Sequence, residues 1–163
     1  MKKIGLISDT HSFFDQKLVD FLSDVDEIWH AGDIGDIATA DTIAAFKPLR
    51  AVCGNIDNHT VRISYHPSML FECEDVKVMM THIGGYPDHY PMAIREAIEK
   101  YRPTLFVCGH SHILKVIYDH KYELLHINPG AAGIYGFHKV RTAVRFVIDG
   151  NNIRDLEVGE WSR

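Results

Sequence analysis

KIGLISDTH, residues 3 to 11, is the stretch that decides the fold. A short apolar run ends abruptly in a polar group that contains Asp9 and His11. The run is far shorter than the roughly 20 apolar residues that cross a bilayer, and its acidic ending is foreign to a signal peptide. The stretch therefore predicts a buried strand, Lys3 to Ile7, with polar side chains at its carboxyl end.

The same pattern, an apolar strand followed at once by Asp, Asn or His, recurs along the chain. The later endings are His30-Ala31-Gly32-Asp33, Cys53-Gly54-Asn55-Ile56-Asp57, Thr81-His82 and Gly109-His110-Ser111-His112. Ligands of open α/β sheets bind in the crevice beyond the carboxyl ends of the strands. We therefore expect these side chains to converge at one edge of the fold.

The first third of the chain alternates between strand and helix patterns. Strands are predicted at Lys3–Ile7, Glu27–His30 and Leu49–Val52, with helices at Gln16–Leu22 and Ala38–Phe46. This alternation favours parallel strands joined by crossover helices.

The rest of the chain is dominated by hairpin patterns around one further helix. Strands are predicted at Met69–Cys73, Val76–Thr81, Leu105–Cys108, Lys115–Asp119, Tyr122–Asn128, Thr142–Asp149 and Ile153–Val158, and a helix at Pro91–Tyr101. Asp149-Gly150 is a strong hairpin-turn signal. Residues 1–163 are thus predicted to form a single domain of the α/β class, with two mixed β-sheets packed face to face and helices outside.

The composition limits the classes of function that this chain can have. An apolar fraction of 46% and a net charge of −5 are typical of an ordinary soluble protein. The charge argues against sequence-specific nucleic-acid binding, which needs a basic surface, and nothing indicates a membrane. Three cysteines, Cys53, Cys73 and Cys108, form no CxxC pair, which predicts no disulfide framework and a cytoplasmic location.

The polar endings have a chemistry in common. Each alone is explained as well by a turn, a helix cap or a structural histidine, but the chain contains 11 histidines and the endings recur in series. Two aspartates, an asparagine and four histidines suit two borderline transition-metal ions, with a carboxylate bridging them. Structural zinc sites are usually richer in cysteine, and calcium sites are richer in oxygen ligands.

The series resembles the calcineurin-like metallophosphoesterases, and its Gly54-Asn55-Ile56-Asp57 form resembles their small prokaryotic phosphodiesterase branch. The likeness runs from residue 3 to about residue 136 and includes Asn128-Pro129-Gly130. It implies a four-layer α/β/β/α sandwich. It also implies a first metal ion on Asp9, His11 and His112, a second on Asn55, His82 and His110, and Asp33 as the bridge.

The resemblance further implies hydrolysis of a phosphate ester by in-line attack of a metal-bridging hydroxide, more plausibly on a phosphodiester than on a monoester. Asp33, Asn55 and Asp57 are the candidate catalytic residues, with Asp57 orienting a metal-ligating histidine. The expected cofactor is two divalent ions per chain, manganese (Mn) first, with iron, zinc, nickel or cobalt as alternatives. The expected substrate is a small phosphodiester or nucleotide-like molecule, and a homo-oligomer is left open.

Two positions depart from the family pattern. Ile56 stands where the family commonly has a histidine that assists the leaving group, and His59 is either its substitute or an ordinary loop residue. Ala131 replaces a serine frequent in the branch.

Other residues near these loops have two interpretations. His138, Lys139 and Arg141 either contact substrate phosphate or are solvated loop charges. The aromatic residues of these loops either stack on a substrate ring or pack in the protein; they are Tyr86, Tyr90, Tyr135 and Phe137.

Two other functions share this fold or site. The chain could be a catalytically idle protein-interaction scaffold, although seven competent ligands are costly to bury without a cation. A metal-dependent nuclease would use the same residues but would need a basic groove.

Overall fold

The computed structural model describes residues 1–163 and contains ten strands and four helices. The strands are β1 (Lys2–Ile7), β2 (Glu27–His30), β3 (Leu49–Ala51), β4 (Ser68–Cys73), β5 (Val76–Thr81), β6 (Leu105–Val107), β7 (Leu114–Asp119), β8 (Leu124–Pro129), β9 (Val140–Asp149) and β10 (Asn152–Ser162). The helices are α1 (Gln16–Phe21), α2 (Ile37–Phe46), α3 (His59–Ser64) and α4 (Met92–Tyr101). None of the helices is long and apolar enough to span a membrane.

The strands form two five-stranded mixed sheets. The first has the order β10-β9-β1-β2-β3, in which β1, β2 and β3 are parallel and β9 is antiparallel to β1. The second has the order β4-β5-β6-β8-β7, in which β5, β6 and β8 are parallel. Parallel pairing follows from the crossover connections, because a hairpin turn joins only antiparallel neighbours.

Alternation along β1 shows how the layers are assembled. Ile4 and Leu6 point into the apolar core between the two sheets, whereas Ile7 joins the cluster that contains Leu18 of α1. Burying each such side chain stabilises the fold by roughly 1.5–3 kcal/mol. Gly5 lets α1 come close, since a Cβ there would lie 2.5 Å from a methyl group of Leu22.

The second sheet has the same arrangement. Met79 and Phe106 of this sheet pack against Ile98 of α4 on its outer face. Helices therefore cover the outer faces of both sheets, and the predicted α/β/β/α sandwich is confirmed.

Two elements differ from the sequence prediction. The segment after Asn58 was expected to be a loop, but it forms helix α3. Asn58 caps this helix by accepting a hydrogen bond from the Val61 N–H at 3.1 Å. His59 is thus the first residue of a helix, so its placement in a loop is wrong, while its role as a substitute for the histidine missing at position 56 stays a prediction. Strand β10 also continues to Ser162, beyond the predicted end at Val158, because after an irregularity between Arg154 and Glu157 its pairing with β9 runs on from Glu157 to Ser162.

The carboxyl ends of the two sheets meet at one edge. The loop after β1 is tied to the loop after β2 by the Asp9 N–H, which donates to the Gly32 carbonyl at 2.9 Å. In the second sheet the Gly109 N–H donates to the His82 carbonyl at 2.9 Å. These ties bring the polar strand endings together.

Candidate metal centre

Six of the predicted ligands form two compact groups. Asp9, His11 and His112 make one group and Asp33, His82 and His110 make the other, with the ligand atoms of each group within 4.8 Å of one another. This membership agrees with the division into two metal positions that the family resemblance implies. That the groups bind metal stays a prediction.

Asp9 has one oxygen held by the protein and one left free. Its Oδ2 accepts hydrogen bonds from the Ser8 hydroxyl at 2.7 Å and from the His110 N–H at 3.1 Å. Its Oδ1 is buried without a hydrogen-bond partner and lies 3.2 Å from Nε2 of His112. The free oxygen therefore faces the first group.

Asp33 is arranged in the same way, but between the groups. Its Oδ1 accepts from the Ile56 N–H at 3.1 Å. Its Oδ2 lies 3.2 Å from Nε2 of His82 and 3.5 Å from Nε2 of His11. One oxygen thus faces a histidine of each group, which is the placement a bridging carboxylate needs.

His82 is oriented by the first sheet. Its Nδ1 is 2.8 Å from the Ala31 carbonyl oxygen, which only accepts, so Nδ1 carries the proton and donates. Burial acts to lower the pKa of His82, but the close contact with the Asp33 carboxylate at 3.2 Å and the charges of Asp9 and Asp33 outweigh it and raise the pKa. The same contact holds the pKa of Asp33 below its usual range, although burial opposes ionisation there. This environment stabilises positive charge.

Buried polar atoms without partners test whether a cation fits. Asp9 Oδ1, His11 Nε2 and His82 Nε2 are all buried and have no hydrogen-bond partner in the protein. Burial lowers the pKa of His11, which favours its neutral, ligand-competent form. Leaving such atoms unpaired costs about 1–3 kcal/mol each, and a divalent cation satisfies them together. The residues therefore fit the metal ions that the family implies.

The backbone at the site is strained. Left-handed φ angles occur at five predicted ligands, namely Asp9 (54°), His11 (46°), Asp33 (55°), His110 (72°) and His112 (62°). Such conformations cost of order 1–3 kcal/mol each outside glycine and persist where the surroundings enforce them. Their concentration on the ligands indicates that the loops are shaped for the site and not for stability.

Asn55 and Asp57 have different positions. Asn55 is exposed and lines the same cavity as Asp33 and His110. Asp57 is buried and accepts hydrogen bonds from the N–H groups of Gly54 at 2.7 Å, Gly35 at 2.8 Å and Ile34 at 3.2 Å. The expectation that Asp57 orients a histidine is wrong, because it joins the two loops that carry Asp33 and Asn55.

Close approach makes Gly54 necessary in the same loop. A Cβ on Gly54 would lie 2.0 Å from Oδ1 of Asp33 and 2.3 Å from its backbone nitrogen. Both atoms are fixed parts of the site. Any side chain at position 54 would therefore displace the Asp33 carboxylate.

Four residues support the site in ways that the sequence analysis did not predict. The Arg62 guanidinium donates to the carbonyls of Asp57 at 2.7 Å and Gly54 at 2.9 Å, which fastens the loop of Asn55. The Asn128 amide donates to the Gly109 carbonyl at 2.9 Å, below His110. Thr10 and His30 are hydrogen-bonded at 2.9 Å, and burial lowers the pKa of His30 to about 3.

Of these, Asn128 lay in a recognised motif, and Thr10 and His30 lay in the quoted strand endings without a predicted role. Arg62 lies on helix α3, and the Asn58 cap is the sequence signal that could have predicted this helix.

The mouth of the site is apolar. Ile56, Ile113, Tyr135 and Phe137, named here the apolar rim, line one cavity of about 480 Å³ together with His11, Asp33, His110 and His112. No lysine or arginine is among the residues that line it. Tyr135 lies against His11, with ring centroids 5.1 Å apart.

The remaining candidate aromatic and basic residues differ in whether they line the cavity, pack in the core or lie at the surface. Tyr90 is buried among Met79 and Phe106, so it is a packing residue, and Tyr86 does not line the cavity. Arg141 is buried and forms two hydrogen bonds to the Asp15 carboxylate, at 2.8 and 3.0 Å.

Both interpretations of Arg141, a phosphate contact or a solvated charge, are therefore wrong. Lys139 is exposed, and His138 is half-buried against His112.

Comparison with known proteins agrees with this geometry. Residues 1–151 match the model of the calcineurin-like phosphoesterase superfamily domain. The chain belongs to this superfamily. A relative described as a probable metallophosphoesterase, from Methanothermobacter thermautotrophicus, is 29% identical over 133 residues, covering 78% of this chain and 76% of the relative.

Solved structures of other proteins share the fold. Vps29 from Chaetomium thermophilum superimposes with a TM-score of 0.78 at 15% identity over 100% of both chains. A structure described as a novel archaeal phosphodiesterase gives a TM-score of 0.75 at 21% identity, covering 96% of this chain and 99% of that one. At these identities the likeness establishes the fold alone, so the reaction has to be argued from the site.

Proposed function

We propose that this protein is a dinuclear-metal phosphodiesterase that acts on a small phosphodiester. The carrying observation is the Oδ2 of Asp33, which lies 3.2 Å from His82 and 3.5 Å from His11, one histidine of each ligand group. The two ligand groups would hold two divalent ions, manganese in the first instance, which would supply Lewis acidity and an activated water for attack on phosphorus. A cytoplasmic location stays a prediction.

The chain's own residues supply the framework for this reaction. Asp9 and Asp33 each present one free oxygen because the other oxygen is held by the protein. His82 presents Nε2 because its Nδ1–H is held by the Ala31 carbonyl. Fixed ligands of this kind need little reorganisation during the reaction, which is the main source of electrostatic stabilisation of a transition state.

Two features favour a diester over a monoester. A diester carries one negative charge fewer, and the cavity lining offers no lysine or arginine for the additional charge. Ile56 lines the cavity where the family commonly has a proton-donating histidine. Its apolar side chain gives no proton to a leaving group, so the site suits esters whose leaving group departs unassisted.

The hypothesis of an idle interaction scaffold explains less. A surface used only for binding has no need to bury Asp9 Oδ1, His11 Nε2 and His82 Nε2 without partners. It also has no need for strained backbone at five ligand positions, Asp9, His11, Asp33, His110 and His112.

The test combines metal content with activity. Protein freed of metal and reconstituted with Mn²⁺ should bind two ions per chain and hydrolyse bis(4-nitrophenyl) phosphate faster than 4-nitrophenyl phosphate. Calorimetry gives the stoichiometry, and absorbance of released nitrophenolate gives kcat/KM. Two bound ions without hydrolysis of any ester would favour the scaffold, and no binding at saturating Mn²⁺ would reject the dinuclear site.

A further inference from the structure

The apolar rim is unusual for its position. Phe137 is 104% exposed, Tyr135 69%, Ile113 63% and Ile56 45%, yet all four line the cavity of the metal centre. Single exposed apolar residues are ordinary on a protein surface. Four around one cavity with convergent polar groups are typical of a ligand site.

The rim is within reach of a substrate bound at the ligand groups. Tyr135 contacts His11 through rings whose centroids are 5.1 Å apart, with an angle of 31° between their planes. Phe137 stands two residues further along the same loop. A phosphodiester seated at the two groups has two ester substituents, and one of them leaves while the other stays.

We propose that the rim binds the retained ester group of the substrate and that this group is aromatic. The inference rests on the proposed phosphodiesterase function. A polyphosphate substituent would bring further negative charge to a cavity lined by no lysine or arginine. An aryl group or a nucleobase instead buries apolar area against Phe137 and Ile113, and aromatic pairing adds to that gain. The predicted substrate class is therefore a phosphodiester, which carries one negative charge, with one flat, apolar ester group.

The test keeps the leaving group constant. Phenyl 4-nitrophenyl phosphate and methyl 4-nitrophenyl phosphate both release 4-nitrophenolate and differ only in the ester that remains. We expect the Mn²⁺-loaded protein to prefer the phenyl ester about 3- to 10-fold in kcat/KM, mainly through KM. Phe137→Ala should remove most of this preference, because kcat/KM for the phenyl ester falls more than kcat/KM for the methyl ester.

A matched control is Met92→Ala, which removes another exposed apolar side chain, on helix α4, that does not line the cavity. It should keep the preference. If both esters are hydrolysed and the phenyl preference is absent, or survives in Phe137→Ala, the rim proposal is overturned while the phosphodiesterase stands. If neither ester is hydrolysed, both proposals are overturned.

A separate observation concerns His138. Its Nε2 lies 2.8 Å from the Gly133 carbonyl oxygen, which only accepts, so Nε2 carries the proton. In the neutral ring Nδ1 is then an acceptor, and its partner at 3.2 Å is Nδ1 of His112. His112 must donate from Nδ1, which leaves the lone pair of its Nε2 directed at the group containing Asp9 Oδ1, 3.2 Å away.

From this chain of bonds we infer that His138 is a positioning residue for His112. It fixes the tautomer whose Nε2 is free to bind a cation, through the relay from the Gly133 carbonyl. Residues that accept a hydrogen bond from a metal-ligating histidine typically increase metal affinity by about 10- to 100-fold. The inference depends on hydrogen-bond geometry and is independent of the substrate.

Two variants separate positioning from general structure. His138→Asn keeps an acceptor oxygen close to the place of Nδ1, whereas His138→Phe keeps a ring without an acceptor. We expect His138→Phe to bind one of two Co²⁺ ions about 10- to 100-fold more weakly, and His138→Asn to stay within about 3-fold of the natural protein. Long-range ¹H–¹⁵N spectra of the metal-free protein should show His112 protonated at Nδ1, with that preference lost only in His138→Phe.

Circular dichroism confirms that each variant is folded. Equal affinities in all three proteins, or a His112 that carries its proton on Nε2 in the natural protein, would overturn the assignment.

Discussion

The floor of the site and its rim are built in opposite ways. On the floor, Asp33 is 2% exposed and each of its oxygens has a defined neighbour. On the rim, Phe137 is 104% exposed and belongs to none of the apolar clusters of the core. A floor fixed by many contacts determines which chemistry occurs, whereas a rim with few contacts is free to determine which substrate is accepted.

The cost of the two regions differs as well. The floor contains buried polar atoms without partners and left-handed backbone at Asp9 and Asp33, which all oppose folding. The rim contains exposed apolar area, which costs little in stability and lowers solubility. Changes on the floor should therefore reduce activity strongly, and changes on the rim should alter selectivity.

The largest effect is expected for Asp33→Asn. Because Oδ2 faces both ligand groups, the neutral amide disturbs both ions and the activated water at once. We expect a loss of about 1,000-fold in kcat/KM for bis(4-nitrophenyl) phosphate, with nearly unchanged unfolding.

Asp57→Asn is the matched control, since Asp57 joins loops and does not face the ligand groups. The new amide group would face one or two backbone N–H donors, so the free energy of unfolding should fall by about 2 kcal/mol. The activity of the folded protein should fall much less than in Asp33→Asn. Urea unfolding and kinetics on both variants separate the two roles. Equal, mild losses of activity would contradict the bridging position of Asp33.

The floor was predictable from sequence because its signal is local. Each ligand follows directly after an apolar strand, and the carboxyl ends of parallel strands meet at one edge. The two sheets with outer helices followed from the order of strand, helix and hairpin patterns along the chain, and the four-layer sandwich from the family resemblance.

The contacts around the floor were not predictable in this way. Arg141 pairs with Asp15 across 126 positions of sequence, and no local pattern marks such a partner. The role of Asp57 was missed for a related reason, because its hydrogen bonds go to backbone groups and those leave no trace in residue identity. Helix α3 was missed because it is short and rich in β-branched residues, although its Asn58 cap was visible.

The second-largest effect is expected for Asp15→Asn, at the base of the loop that carries Tyr135 and Phe137. Arg141 donates to the Ala132 carbonyl, just before that loop, and to Asp15. Asp15→Asn leaves a buried guanidinium without its counter-charge. We expect a loss of about 2 kcal/mol in the free energy of unfolding at pH 7, below the value for a fully buried pair because Asp15 is 26% exposed.

The pH dependence of this effect has a definite sign. The hydrogen bond from Arg141 lowers the pKa of Asp15 in the folded protein, although its partial burial opposes this. The contribution is therefore fully present above the unfolded pKa of about 4 and is lost as the pH falls through the folded pKa. Stabilities from urea unfolding of both proteins should converge as the pH falls below about 4, and a constant gap would contradict the assignment.

A smaller effect is expected for Ile56→His at the border of floor and rim. The Ile56 N–H is fixed by Asp33, but its side chain is 45% exposed, so an imidazole fits without repacking the core. A well-placed general acid contributes ~100- to 10,000-fold, and an introduced one should reach only about 10-fold. Diesters with alkyl leaving groups should gain more than aryl ones, because alkoxides need the proton more.

Ile56→Gln controls for polarity, since it has no acid at neutral pH. The ratio of kcat/KM for alkyl and aryl leaving groups should rise only in Ile56→His. A natural protein that already prefers alkyl monoesters would show that another residue supplies the proton.

The smallest effect is expected for the cysteines, and Cys108 is the strictest case because it lies two residues before His110. Cys53, Cys73 and Cys108 are all buried and free, and burial raises the pKa of Cys108 to about 12, so it stays a thiol at neutral pH. A protonated thiol is neither a nucleophile nor a good metal ligand. Cys108→Ala should therefore change kcat/KM by less than about 2-fold and cost about 1 kcal/mol in unfolding through lost packing. Kinetics of the Mn²⁺-loaded variant give the answer. A folded Cys108→Ala protein that binds two ions and yet has no turnover would mean that the floor of the site includes Cys108 in addition to the two ligand groups.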